Sequence, residues 1–209
     1  MAAGRLITIE GLDGAGKTTL VQALAQELQR RGLPVVVLRE PGGVPVSERI
    51  RELVKDPSAH VSARTEALLY AAARAQLVSE RLLPELEQGH FVLLDRFLDS
   101  SLAYQGAGRE LGVEQVREIN LFATGGLAPD RTLLLTISPA AGRTRQDGRG
   151  QEPDRLERED SAFFTAVADA YDQLARQEPD RIWTIDATGA PAEVLAAALA
   201  ALADLIPSG

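Results

Sequence analysis

The sequence predicts an α/β protein with a parallel sheet covered by helices on both faces. Three observations carry that prediction. Five runs rich in Val, Ile and Leu alternate along the chain with longer amphipathic segments, and strands separated by helical crossovers pair in parallel. The runs are nearly continuous in apolar residues, as strands buried on both faces require. Between the first run and the first helical segment stands Gly11-Leu12-Asp13-Gly14-Ala15-Gly16-Lys17-Thr18. This is a G-x-x-x-x-G-K-T element in the strand–loop–helix setting that it needs to cradle phosphate.

The elements follow in order. Leu6–Glu10 is the first strand, and Lys17–Arg31 is the helix after the glycine-rich loop. Val35–Arg39 is the second strand, ended by a turn at Glu40-Pro41-Gly42-Gly43; helical patterns then cover Val46–Val54 and Ser62–Glu87. Phe91–Asp95 is the third strand. Helices at Ser100–Gln105 and Val113–Thr124 flank a glycine-rich connection, Gly106–Gly112. Thr132–Thr136 is the fourth strand, followed by a polar connection at Asp147–Pro153 and a helix at Ser161–Gln177. Ile182–Ile185 is the fifth strand, and Pro191–Ile206 closes the chain as a helix. Right-handed crossovers place ligands at the carboxyl ends of these strands. At 209 residues, without repeats or a clear linker, one domain is expected.

Composition narrows the function. The net charge of −8 argues against nucleic acid as a partner, which would want a basic face. There is no cysteine, so disulfides, thiolate metal sites and thiol nucleophiles are excluded. No stretch approaches the ~20 apolar residues of a membrane span. The chain enters its first strand almost at once, which predicts no leader and a cytoplasmic location. Lys17 and Lys55 are the only lysines. The remaining basic charge is arginine, which suits bidentate phosphate recognition.

The loop Gly11–Thr18 predicts binding of a nucleoside triphosphate, ATP, with Mg²⁺. Its backbone N–H groups and the helix N-terminus face the phosphates. Lys17 reaches the β- and γ-phosphates, and Thr18 holds the metal together with Asp95 at the end of the third strand. Asp95 is followed by Arg96 and not by an acidic residue. An arginine stays protonated and cannot activate water, so the pair favours transfer between two bound phosphates over hydrolysis. A GTPase is disfavoured, because Lys55 lies in Leu53-Val54-Lys55-Asp56 and supplies no Asn/Thr-Lys-x-Asp element. Arg143, Arg145 and Arg149, within a lid over about 143–157, can close over ATP and steady the phosphoryl group. Their acidic neighbours are equally compatible with a solvated charged loop. Tyr70 and Arg74 are i and i+4 on one helix face. They fit either a base-binding pair or a core tyrosine beside a surface arginine.

Together these segments resemble bacterial thymidylate kinases. The resemblance runs nearly the whole chain and rests on Ile9-Glu10-Gly11-Leu12-Asp13-Gly14-Ala15-Gly16-Lys17-Thr18-Thr19, Arg39-Glu40-Pro41-Gly42-Gly43, Tyr70-Ala71-Ala72-Ala73-Arg74-Ala75-Gln76-Leu77, Asp95-Arg96 and Ser100-Ser101-Leu102-Ala103-Tyr104-Gln105-Gly106. It implies the nucleoside monophosphate kinase fold, with strand order 2-3-1-4-5, a homodimer, and Mg²⁺-dependent transfer from ATP to dTMP. It implies that Asp13 faces the sugar 3′-hydroxyl and the acceptor phosphate region, and that Arg39 and Arg96 hold that phosphate. Tyr70 would stack on thymine and Arg74 would bond a thymine carbonyl. Ser101 and Gln105 would complete the base edge, Tyr104 would exclude a ribose 2′-hydroxyl, and Arg51 would lie near the base pocket. The loop carries no arginine, so a lid arginine would supply the catalytic cation. Two alternatives stay open: a kinase acting on thymidine itself, and an ATP-binding regulatory protein without turnover.

Overall fold

The computed structural model describes residues 4–148, 150 and 152–207. Its centre is a five-stranded parallel sheet in the order β2-β3-β1-β4-β5, which is the expected order. The strands are β1 (Arg5–Gly11), β2 (Val35–Arg39), β3 (Phe91–Asp95), β4 (Arg131–Thr136) and β5 (Ile182–Asp186). Each lies within one residue of its expected bounds at either end. Side chains alternate across the sheet. Ile7, Ile9, Leu93, Leu133, Leu135 and Ile185 pack under α1 (Lys17–Arg30) and α9 (Pro191–Ala201). On the opposite face, Leu6, Leu38, Val92 and Leu94 pack on α3 (Ala63–Leu77), and Leu134 and Ile182 pack on α8 (Ser161–Gln177). That second face is not wholly apolar. Thr8, Glu10 and Thr132 are fully buried there, and their polar atoms are bonded to one another or to the adjoining loops.

The remaining helices are α2 (Pro45–Lys55), α4 (Leu83–Glu87), α5 (Leu98–Ser101), α6 (Val113–Thr124) and α7 (Pro139–Asp147). Of these, α4 lies at the amino ends of β1 and β3, where the Leu86 carbonyl accepts from the Gly4 N–H. The long helix expected over Ser62–Glu87 is capped by Ser62 and is interrupted by a π-helical turn at Val78–Leu82. Pro84 explains the interruption, because it lacks an N–H and crowds the preceding turn. A second π-helical turn, Leu102–Gly108, extends the short helix expected at Ser100–Gln105 into the glycine-rich connection. The last helix stops at Ala201, five residues short of expectation, and turns lead on from it.

Helix α7 corrects the expected lid. Arg143 and Arg145, expected at the start of a mobile lid over about 143–157, lie in a regular helix that runs to Asp147. Ser138 accepts from the Ala141 N–H and Pro139 occupies the first helical turn. That cap-and-proline pair was a readable start signal.

Candidate active site

The ends of β1, β2 and β3 open into a cleft of about 280 Å³. Its floor is the phosphate loop. Gly14 and Gly16 take left-handed backbone angles, φ 82° and 93°, which the curled loop requires and glycine tolerates. Lys17 is buried and donates to the carbonyls of Gly11 (3.1 Å) and Leu12 (3.0 Å). Burial, with the like charge of Arg96, pulls its ammonium down to about 8, against the carboxylates of Asp13 and Asp95. Thr18 donates to the Asp95 carboxylate at 3.1 Å. This places one hydroxyl and one carboxylate oxygen side by side at the helix N-terminus, the kind of small hard-oxygen set that Mg²⁺ uses with phosphate and water.

Helix α7 lies directly against this loop. A methyl group on Gly142 would sit 2.7 Å from the Asp13 carbonyl, and one on Gly14 would sit 2.3 Å from the Gly142 carbonyl. The two backbones touch at a distance that only paired glycines allow.

Arg96 stands at the centre of the cleft. Its guanidinium donates to Asp13 (2.6 Å), Ser100 (3.0 Å) and Tyr104 (3.3 Å), and lies over the Tyr104 ring at 5.0 Å. Burial raises the Asp13 carboxyl, but Arg96 and Lys17 outweigh it and hold the group well below the usual carboxylate range. Asp13 is therefore ionised, and its pair with Arg96 lies partly buried in the cleft. Arg39 is exposed on the cleft rim and paired with Glu48 (2.9 Å). Arg51 donates to the Pro41 carbonyl (2.9 Å).

Tyr70, Arg74, Ser101 and Gln105 form one wall with Tyr104. Arg74 departs from expectation. It is 1% exposed, and it makes four hydrogen bonds, to Glu40 (2.8 Å), Ser101 (3.0 Å), the Phe97 carbonyl (2.9 Å) and Asn120, beside a close ion-pair contact with Glu40 (2.5 Å). It is a buried hub joining β2, α5 and α6, not a free donor at a base edge. Burial, outweighing Arg74, pushes the Glu40 carboxyl up to about 7. Gln105 donates to Glu66 at 2.8 Å.

Sequence reasoning missed Glu66. It is fully buried and also takes Arg109 (3.1 Å) and Arg155 (2.6 Å). It thereby ties the base wall to the turn at 154–158, where Asp154 pairs with Lys55 (2.8 Å). No local pattern marks a buried glutamate on α3. Its partners lie 39 to 89 residues away.

The expected lid arginines do not converge. Positions i and i+2 project from opposite sides of a helix. Arg143 accordingly donates to the Glu157 carbonyl (2.6 Å). Arg145 reaches the carbonyls of Ala187 (3.0 Å) and Gly14 (3.4 Å). Neither lines the cleft. Arg149 lies outside the described residues.

Comparison with known proteins agrees with this geometry. The family model described as Thymidylate kinase matches residues 9–198. The chain is 48% identical over 206 residues to a thymidylate kinase of Rhizorhabdus wittichii, covering 98% of this chain and 99% of that one. It is also 48% identical to a thymidylate kinase of Deinococcus radiodurans, with 98% of each covered. Among solved structures, a thymidylate kinase from Ehrlichia chaffeensis superposes with a TM-score of 0.78 at 27% identity, covering 96% of this chain and 99% of that chain.

Proposed function

The chain belongs to the thymidylate kinase family, and from that membership we propose how its cleft works in the reaction, transfer of a phosphoryl group from ATP to dTMP. The acceptor is placed with its phosphate at Arg96 and Arg39 and its sugar against Asp13 and Tyr104. Its base lies between Tyr70 and the wall of Arg74, Ser101 and Gln105. The donor phosphates lie in the loop Gly11–Thr18, with Lys17 at the β- and γ-groups. Thr18 and Asp95 would hold Mg²⁺, which when bound would neutralise charge on the donor phosphates. An ionised monophosphate oxygen is already nucleophilic, so no general base is needed. His60 and His90 stand apart from the cleft lining. Rate acceleration then comes from alignment and from cations aimed at the migrating group. Of the helix arginines, Arg145 flanks the donor loop and is the one assigned to ATP; Arg143 is assigned to holding the turn at Glu157.

One observation carries this reading. Arg96, Asp13, Tyr104 and Lys17 meet in a single bonded cluster at the mouth of the phosphate loop, which is where an acceptor phosphate must lie for its oxygen to attack the γ-phosphorus of ATP in line. The test is ADP release with ATP and Mg²⁺ against dTMP, dUMP, AMP, CMP, GMP and thymidine. Turnover with dTMP, and dUMP trailing, is expected. Turnover with thymidine but not dTMP would remove the acceptor-phosphate role from Arg39 and Arg96. ATP binding without turnover on any acceptor would favour a regulatory protein.

The protein is further assigned as a cytoplasmic homodimer without nucleic-acid partners; no described helix is long and apolar enough to cross a membrane. The support for a dimer is an apolar surface. Phe122 is 92% exposed, Leu121 on α6, Leu68 on α3 and Leu53 and Val46 on α2 are exposed as well, and α3 packs on both α2 and α6. Aromatic residues at such surfaces are frequent association hot spots. Sedimentation at micromolar concentration is expected to show a dimer, and Phe122→Asp to weaken it about tenfold or more. A monomeric wild type would end this assignment.

A further inference from the structure

Glu10 raises a question that the proposed mechanism leaves unanswered. It lies on the buried face of β1, is 0% exposed, and forms no ion pair within 4 Å among the described residues. A carboxylate removed from water needs dedicated hydrogen bonds. Glu10 receives four. Its Oε1 accepts from the N–H groups of Phe97 (2.7 Å) and Ser100 (3.3 Å). Its Oε2 accepts from the hydroxyls of Ser100 (2.5 Å) and Tyr171 (2.8 Å). The Phe97 N–H borders Arg96 in the chain, and the Ser100 and Tyr171 hydroxyls touch its guanidinium.

Two consequences follow for Arg96. Its backbone is left-handed, with φ 71°, a conformation that costs a side-chain-bearing residue about 1–2 kcal/mol and persists only where the surroundings enforce it. The enforcement comes from β1 on both sides: the Arg96 N–H donates to the Ile9 carbonyl (3.0 Å), and the next N–H, of Phe97, donates to Glu10. The second consequence concerns protons. Ser100 and Tyr171 also lie 3.0 and 3.5 Å from Arg96 Nη1. A hydroxyl has one proton, and with both protons given to Glu10 the oxygen lone pairs face the guanidinium.

We infer that Glu10 is a positioning residue for phosphoryl transfer: it fixes the turn that carries Arg96 and orients the two hydroxyls that hold the guanidinium on the acceptor site. The inference rests on the role proposed for Arg96, so the test separates the two.

Steady-state kinetics on dTMP and equilibrium ATP binding would be measured for wild type, Glu10→Gln, Tyr171→Phe, Arg96→Ala, and each of the first two combined with Arg96→Ala. Glu10→Gln keeps the volume. Its amide must either meet two N–H donors or turn both hydroxyl protons toward Arg96. The expected result is a loss of about 30-fold in kcat/KM for dTMP, with ATP affinity held within about twofold. In the Arg96→Ala background the same change is expected to cost less than about threefold, because Glu10 acts through Arg96. Tyr171→Phe is expected to cost about threefold in wild type and nothing in that background. It stands in for Glu10→Gln if that variant does not fold. Losses that persist undiminished in the Arg96→Ala background would make Glu10 a general structural residue and overturn the inference. Normal turnover by Arg96→Ala itself would overturn the role of Arg96, and the inference with it. Impaired Arg96→Ala beside an unimpaired Glu10→Gln would overturn the inference alone.

Discussion

Arg96→Ala is expected to lower kcat about 100-fold or more, corresponding to roughly 3 kcal/mol of transition-state stabilisation. The guanidinium donates to Asp13, Ser100 and Tyr104 together, so its loss removes charge and leaves three oxygen atoms without their shared donor. Arg96→Lys should recover little of the rate. An ammonium is a point charge and cannot span these partners as a planar fork does. Single-turnover mixing of enzyme, ATP and dTMP separates the chemical step from product release. A burst of unchanged rate in Arg96→Ala would remove this residue from the chemistry.

Arg74→Ala is expected to act first on stability. Removing one partner of a buried ion pair leaves an uncompensated charge and costs about 3–5 kcal/mol. For a chain of this size that lowers the melting temperature by about 10 °C. Glu40 is the charge left behind. Its carboxyl is already pushed up by burial to about 7 with Arg74 present, and rises further without it. A carboxyl raised above its unfolded value contributes stability at low pH that is lost as pH climbs toward the folded value. Wild type and variant lose this contribution alike below about 7 and only the variant goes on losing it above, so the deficit of the variant should widen as pH rises from about 6 to about 9. Thermal melts across that range check both claims, and a deficit independent of pH would exclude Glu40 as the source. Weaker dTMP binding should accompany the stability loss, because Ser101 on the base wall loses the donor that orients it.

The contrast between these two arginines shows what the chain reveals locally. The phosphate loop, the five strands and Asp95-Arg96 were legible, because each is a short pattern whose meaning is set by its immediate neighbours. Arg74 was placed in the cleft by the family resemblance, while its spacing from Tyr70 alone left a core tyrosine beside a surface arginine open. Its burial was not legible, since Glu40, Phe97 with Ser101, and Asn120 arrive from three other segments. The same holds for Glu66. Helix α7 was missed for a different reason: it is polar, buries only Gly142, and has no apolar period to read. The placement of Arg143 and Arg145 went with it. The two π-helical turns were hidden because a helix pattern tolerates one inserted residue without losing its stripe.

The contact between Gly142 and the phosphate loop bears on how this enzyme could be made more robust. Glycine in a helix interior gives up about 1 kcal/mol relative to alanine, and position 142 is the fourth residue of α7. A stabilisation campaign would choose Gly142→Ala early, on propensity alone. The added methyl would meet the Asp13 carbonyl at 2.7 Å and force either the helix or the donor loop to move. A gain in thermal tolerance at this position would then be bought with nucleotide affinity, so 142 should be held fixed alongside Gly14 and Gly16, although it lies far from them in the chain.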